Sequence, residues 1–247
     1  RGISWTGSFP TPGRSGSWAP PVPARNEFYG AACGGQPSSF YQSFLNGQPF
    51  DLGGGSLTLT PDLLPPFRPN FYTVSKGTTA INYGAAITKI SWIDDEVVPF
   101  ALPWNFLYPG GPLVGTPTIK PCTNGFIWLD PLIAATDFTP TVGGLLGAAG
   151  RTARLAPFWY DFHCGRNLPT HLASGLYADW AGFVGFRTCA VTWLNVGVFN
   201  SVSGATVGGH AVHDMQCLIH EATGVVEFVY GPGTLMPQYC ANTTGTN

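Results

Sequence analysis

Residues 187–230 constrain the fold more than any other stretch of this chain. Three runs in it read as β-strands: 188–194 (Thr-Cys-Ala-Val-Thr-Trp-Leu), 215–220 (Met-Gln-Cys-Leu-Ile-His) and 225–230 (Val-Val-Glu-Phe-Val-Tyr). Successive side chains of a strand point to opposite faces of a sheet. Cys189, Val191 and Trp193 therefore share one face, and Met215, Cys217 and Ile219 share another. Residues 221–224 fit a four-residue hairpin loop, with Gly224 free to take positive φ. Such a loop sets Ile219 opposite Val226, Cys217 opposite Phe228 and Met215 opposite Tyr230. One face becomes wholly apolar, and the other carries Gln216, His220 and Glu227 among Leu218, Val225 and Val229. This is the pattern of an antiparallel sheet with one face on a core and one partly exposed. It contains no catalytic motif.

Sheets built from short strands need many turns, and the composition supplies them: 33 Gly and 23 Pro, with 14% aromatic and only 10% charged residues in 247. A disordered chain would lack the aromatics. The length suits one large all-β domain or two small ones. A net charge of −2 without a basic cluster argues against nucleic acid as a partner. No run of eighteen apolar residues occurs, so no membrane-spanning helix is expected. A removed signal peptide or a truncation would explain the start at Arg1. Six cysteines, Cys33, Cys122, Cys164, Cys189, Cys217 and Cys240, contain no C-x-x-C pair. Disulfides in an oxidising compartment are the expectation, with fifteen pairings open. Neighbouring strands would bring Cys189 near Cys217. Asn242-Thr-Thr is a glycosylation sequon.

Along the chain, residues 1–27 read as an extended Pro/Gly/Ser-rich arm, with a polyproline-favouring Pro-Pro-Val-Pro at 20–23. Its large apolar side chains, Ile3, Trp5, Phe9 and Trp18, are the expected contacts to a neighbouring copy. Residues 28–235 form the expected β domain, and 236–247 a polar tail. Within the domain, Phe40/Phe44 and Tyr41/Leu45 have helical spacing, which predicts a short helix or turn over 37–45. Strands are expected at 56–60 and 71–75. An edge strand interrupted by Pro99 and Pro103 is expected over 97–106. A hairpin or bulge is expected at 122–125. Thr139-Pro140 predicts a second brief helix. Residues 154–161 are expected to enter the core, and 163–182 to form a long loop.

Several phrases occur in a telling order: Phe28-Tyr-Gly-Ala-Ala-Cys33, Ser38-Ser-Phe-Tyr41, Phe50-Asp-Leu52 with Ser56-Leu-Thr-Leu-Thr-Pro61, Thr123-Asn-Gly-Phe-Ile-Trp128, Thr139-Pro-Thr141, Leu155-Ala-Pro-Phe-Trp159 with Asp161, Val191-Thr-Trp193 with Asn195-Val196, and Gln216 with Gly224 and Glu227. The set, over residues 28–231, resembles a β-sandwich module of large secreted proteins of planctomycete-type bacteria. Its later part is similar to the extracellular nidogen-like (NIDO) domain, where an Asn-Gly strand, an Ala-Pro-Phe-Trp strand with a following Asp, and a terminal hairpin recur. The resemblance implies an extracellular, non-catalytic sandwich used in surface or matrix assemblies. It brings no catalytic residues.

The candidate chemistry is sparse. Asp94-Asp-Glu96 places three carboxylates in a row, and calcium would relieve their repulsion through oxygen ligands. The bland reading is a solvated loop. His210 and His213 would share a face only on a helix. Beside Gly208 and Gly209 they enter a strand and face oppositely, which points to a structural or surface role. His163 and Cys164 beside Asp161 make a nucleophile pair only if Cys164 is a free thiol. No G-x-S-x-G, P-loop, H-E-x-x-H or dinucleotide fingerprint occurs. Tyr177, Trp180 and Phe183 could stack on sugar rings or simply cover the core. The expectation is an all-β, antiparallel, jelly-roll-like sandwich with one or two short helices and an N-terminal arm. Its expected role is a secreted structural subunit of a filament or surface assembly, without cofactor or catalysis. The alternatives are a carbohydrate-binding or adhesive module and a viral coat-like jelly roll.

Overall fold

The three runs lie at the centre of a large antiparallel sheet. The computed structural model describes residues 25–29, 39–43, 52–130, 132–139, 153–164, 174–200, 205–206, 213–232 and 234, with backbone alone at 25–29, 39–43, 198–200 and 205–206. The strands in chain order are β1 (Arg25–Tyr29), β2 (Ser39–Ser43), β3 (Ser56–Pro61), β4 (Tyr72–Gly77), β5 (Lys89–Ser91), β6 (Phe100–Phe106), β7 (Thr116–Cys122), β8 (Phe126–Trp128), β9 (Arg154–Leu155), β10 (Phe162–His163), β11 (Gly175–Ala181), β12 (Thr188–Asn200), β13 (Ala205–Thr206), β14 (His213–His220) and β15 (Val226–Tyr230). The large sheet runs β4-β3-β15-β14-β12-β11-β5, with β10 and β13 also paired to β12. A smaller sheet runs β6-β7-β8-β9, and β1 pairs with β2. The terminal hairpin has the expected register: Met215 faces Tyr230, Cys217 faces Phe228 and Ile219 faces Val226. Its turn closes with Gly224 N donating to His220 O at 2.9 Å and with Gly224 at φ +66°.

The core lies between the two sheets. Val191, Trp193, Met215, Cys217 and Ile219 of the large sheet and Phe106, Ile119 and Ile127 of the small one belong to a single buried cluster. Each large apolar side chain buried there contributes about 1.5–3 kcal/mol relative to exposure. The sheets are also pinned by hydrogen bonds. The Trp193 indole N–H donates to Cys122 O at 2.8 Å, and the Tyr230 hydroxyl donates to Pro157 O at 2.7 Å.

Polar residues on the outer face of the large sheet have a use the alternation alone does not show. β4 and β5 sit at opposite edges, so residues 78–88 must cross the sheet. Six inter-strand steps span about 29 Å, within reach of eleven extended residues at about 3.3 Å each. The crossing is pegged along its length. Thr79 Oγ1 donates to Glu227 Oε2 at 3.0 Å, and Gln216 exchanges hydrogen bonds with the Asn82 backbone at 2.9 and 3.2 Å. The amides of Ile87 and Thr88 both donate to Asp179 Oδ2 at 2.6 Å.

Three expectations are corrected. Residues 39–43 form a strand, because they pair one-to-one with Arg25–Tyr29; so short an apolar run fits either period, and the distant partner decides. The span 163–182 contains β11, whose Leu176 and Ala178 are fully buried. Cys122, Cys164, Cys189 and Cys217 are free, buried thiols. Register explains why Cys189 and Cys217 do not bridge: Cys189 faces Ile219 and Cys217 faces Val191. Diagonal neighbours lie about 7–8 Å apart, beyond the usual disulfide span. No helix is present among the described residues. The helix expected after Thr139-Pro140, the cysteines Cys33 and Cys240, His210, Asn242 and the arm residues Ile3, Trp5, Phe9 and Trp18 lie outside the described residues.

Candidate functional site

Two regions at opposite ends of β14 stand out. The first is an acidic corner built around the β7–β8 turn. Gly125 holds that turn at φ +79°, and a Cβ there would sit 1.9 Å from Phe158 O, so only glycine fits. Next to it, Asn124 is fully buried and acts as a hub. Its side-chain amide donates to Asp95 Oδ1 at 2.7 Å and to Thr136 O at 3.1 Å, and its oxygen accepts from Phe162 N at 3.0 Å. Thr123 Oγ1 accepts from Glu96 N at 2.9 Å, and Thr123 N donates to Glu96 O at 2.9 Å. One turn thereby ties residues 94–96 to the segment entering β10.

The result gathers carboxylates far apart in sequence. One oxygen each from Asp94, Asp95 and Asp161 lie within 4.8 Å of one another. Asp95 sits in the left-handed region at φ +51°. Burial, and then the charges of Asp95 and Asp94, push the Asp161 carboxyl up to about 6. Hard oxygen donors at this spacing could hold a divalent cation such as calcium. The expected triad is altered here. Asp94 and Asp95 do come together, but Glu96 turns away and accepts a hydrogen bond from Ser91 Oγ. Asp161 takes its place. Cys164 is a free thiol, but burial drives it well above the ordinary thiol range, the opposite of an activated nucleophile.

Beside this corner, a buried arginine organises the outer side of the small sheet. The Arg154 guanidinium lies 3.9 Å from the Trp128 ring centre and 4.0 Å from that of Trp159, and it pairs with Asp137 at 3.2 Å. The indole N–H groups of Trp128 and Trp159 donate to Ala135 O and Asp137 O at 2.8 and 2.9 Å.

The second region is apolar and open. Pro61, Leu63, Pro65, Pro66, Phe67 and Pro69 face Trp104, Leu107, Leu113 and Val114 across a groove of about 420 Å³, with His220, Glu221 and Gly224 of the β14–β15 turn completing its lining. Phe67 is 65% exposed, Leu113 78% and Val114 73%. The neighbouring turn between β11 and β12 adds Phe183, Val184 and Phe186, all largely exposed. Glu221 joins the two: it accepts from Gly185 N at 3.0 Å and pairs with both Arg187 Nε and Nη2, at 2.7 and 2.6 Å. Those Arg187 hydrogen bonds hold the Glu221 carboxyl down at about 2. The Arg187 guanidinium is 5.4 Å from the Trp104 ring centre and 5.9 Å from that of Trp180.

The three rings singled out for sugar stacking do not form one platform. Leu176 and Ala178 face the core, so Trp180 shares their side of β11, while Tyr177 points to the other and lies under Lys89 at 5.4 Å. Phe183 packs instead against Phe186, ring centres 5.1 Å apart and the planes tilted by 45°. Sequence reasoning placed Asn124 in a turn and Asp161 beside His163 and Cys164 but joined neither to the acidic corner, and it missed the whole groove. The Asn-Gly turn was the available signal for the first. The spread of Leu63, Leu64 and Phe67 among prolines was the signal for the last.

Two packed antiparallel sheets, with a buried Asn-Gly turn in the smaller and a terminal hairpin in the larger, define an all-β domain. The model of the NIDO-related family matches residues 70–246, most of the chain, and the protein belongs to that family. No curated protein and no solved structure matches it. No helix among the described residues is long and apolar enough to cross a membrane.

Proposed function

We propose that this chain is a non-catalytic structural subunit of an extracellular filament or surface layer, whose copies join through the apolar end. The observation that carries this reading is the open surface of Leu63, Leu64, Phe67, Leu113 and Val114, continued by Phe183, Val184 and Phe186. Contiguous exposed apolar surface of this kind marks interaction sites on folded proteins. The finer architecture belongs to the same proposal: a jelly-roll-like sandwich of the secreted bacterial surface-protein kind, with residues 1–27 as an arm reaching a neighbour. β4, at the edge of the large sheet, offers main-chain groups to an added strand. A head-to-tail contact that does not close on itself extends into a filament.

Electron microscopy of the full chain tests this, beside a full-length variant with Ile3, Trp5, Phe9 and Trp18 all changed to Ser. Ordered assemblies of the first and none of the second are expected. A full chain that stays monomeric at high concentration sinks the proposal.

A further inference from the structure

The groove between residues 61–69 and 104–114 has the chemistry to take a proline-rich segment. Its walls combine aromatic rings with apolar ridges: Phe67 on one side, Trp104, Leu113 and Val114 on the other. Extended proline runs dock in grooves of this kind, because the run is already stiff and its ridges fill the spaces between rings. Trp104 and Asn105 are both in the lining, and residues of these types carry N–H donors suited to the exposed carbonyls of such a run. The chain itself contains a matching ligand, Trp18-Ala-Pro-Pro-Val-Pro23. That run lies within residues 1–24, which carry Arg1 and Arg14 and no acidic residue. The one acidic residue of the lining, Glu221, is already paired with Arg187, and Arg68, between Phe67 and Pro69, donates to Gly111 O, so the match is one of apolar shape and not of charge.

We infer that the groove is the receptor for the proline run of a second copy of this chain. The inference rests on the assembly reading above and deepens it by naming both partners of the contact. It assigns the anchoring role to Trp18 and the prolines at 20–23, beside the more distant Ile3 and Trp5. An arm that is proline-rich meets a lining that is apolar and aromatic, and each copy offers one of each.

The test uses the full chain with Trp18→Ser, Pro21→Ser and Pro23→Ser, which leaves the groove open, and a fluorescent peptide of residues 14–24. Anisotropy should rise on mixing. Adding Phe67→Ser and Leu113→Ser to the protein should weaken binding at least about tenfold, or 1.4 kcal/mol. No binding to the open groove, or equal binding to both proteins, overturns the inference, and it does so even if the unaltered chain assembles. Sedimentation of the unaltered chain provides the second arm. Reversible association that excess peptide dissolves supports a second copy as the occupant. A chain that binds peptide only after its own run is altered, yet sediments as a monomer at every concentration, places the run in its own groove; that overturns both the second-copy inference and the assembly reading.

Discussion

The acidic corner and the apolar groove sit at opposite ends of β14 and solve opposite problems. At the corner, carboxylates are crowded together and the backbone is fixed around them by Asn124, Thr123 and Gly125. In the groove, large apolar side chains are left in water, and the region is tied down from its rim, by the Arg187–Glu221 pair and by Arg68 Nη1 donating to Gly111 O at 2.6 Å. The corner lies wholly within the segment that matches the NIDO-related family, whereas residues 61–69 of the groove lie before it. The difference teaches where this fold concentrates stability and where it leaves surface for contact. Substitutions at the Asn124–Gly125 hub of the corner should destabilise the domain. Substitutions in the groove should leave the fold alone and change what it binds.

The largest effect is expected at the hub. Gly125→Ala forces a Cβ against the Phe158 carbonyl, and Asn124→Ala strands the Phe162 N–H in the interior. Each should cost about 3–5 kcal/mol in denaturant unfolding. A loss below about 1 kcal/mol for both would remove the hub from the account.

Acid should reveal a second interior weakness near the corner. His213 is buried between Phe158 and Phe162, and burial lowers its imidazole to about 4. The unfolded chain binds that proton near pH 6.5, so stability falls as pH drops from about 6.5 to about 4, by about 3 kcal/mol in total. His213→Leu should flatten this part of the pH profile. Asp161 acts in the opposite direction. Its folded carboxyl titrates near 6 rather than near 3.8, so its contribution is full below about 3.8 and is lost as pH rises through about 6. Asp161→Asn should therefore stabilise the domain at pH 7 and leave it unchanged at pH 4. A destabilised Asp161→Asn at pH 7 would show that the carboxylate is held by something attractive.

Parts of this arrangement were legible in the sequence for physical reasons. The β14–β15 register follows from a four-residue turn, which sets Met215, Cys217 and Ile219 opposite Tyr230, Phe228 and Val226 on one wholly apolar face. β6 was recognisable as an edge strand from Pro103 within it and Pro99 just before it, and it is the edge of the small sheet. β11 was hidden because its inward positions include only Leu176 and a small Ala178. The Asp161 contact was hidden because it needs two loops brought together by Asn124, and no local spacing encodes that. Disulfides are expected from six cysteines without a C-x-x-C pair, and for Cys189 and Cys217 the register rules the bridge out by placing them on a diagonal, which no count of cysteines encodes.

The smallest expected effect on stability is in the groove. Phe67→Ser and Leu113→Ser remove side chains that are mostly in water, so the melting transition should move by no more than about 0.5 kcal/mol equivalent. A larger shift would mean that the groove is part of the core after all.

The central claim is that assembly resides in the apolar end. Sedimentation velocity of the full chain over a wide concentration range, beside the Phe67→Ser/Leu113→Ser variant, tests it most directly. The account predicts concentration-dependent association of the unaltered chain and a single monomeric species for the variant, with both folded. Indistinguishable sedimentation of the two proteins, whether both assemble or both stay monomeric, would contradict it.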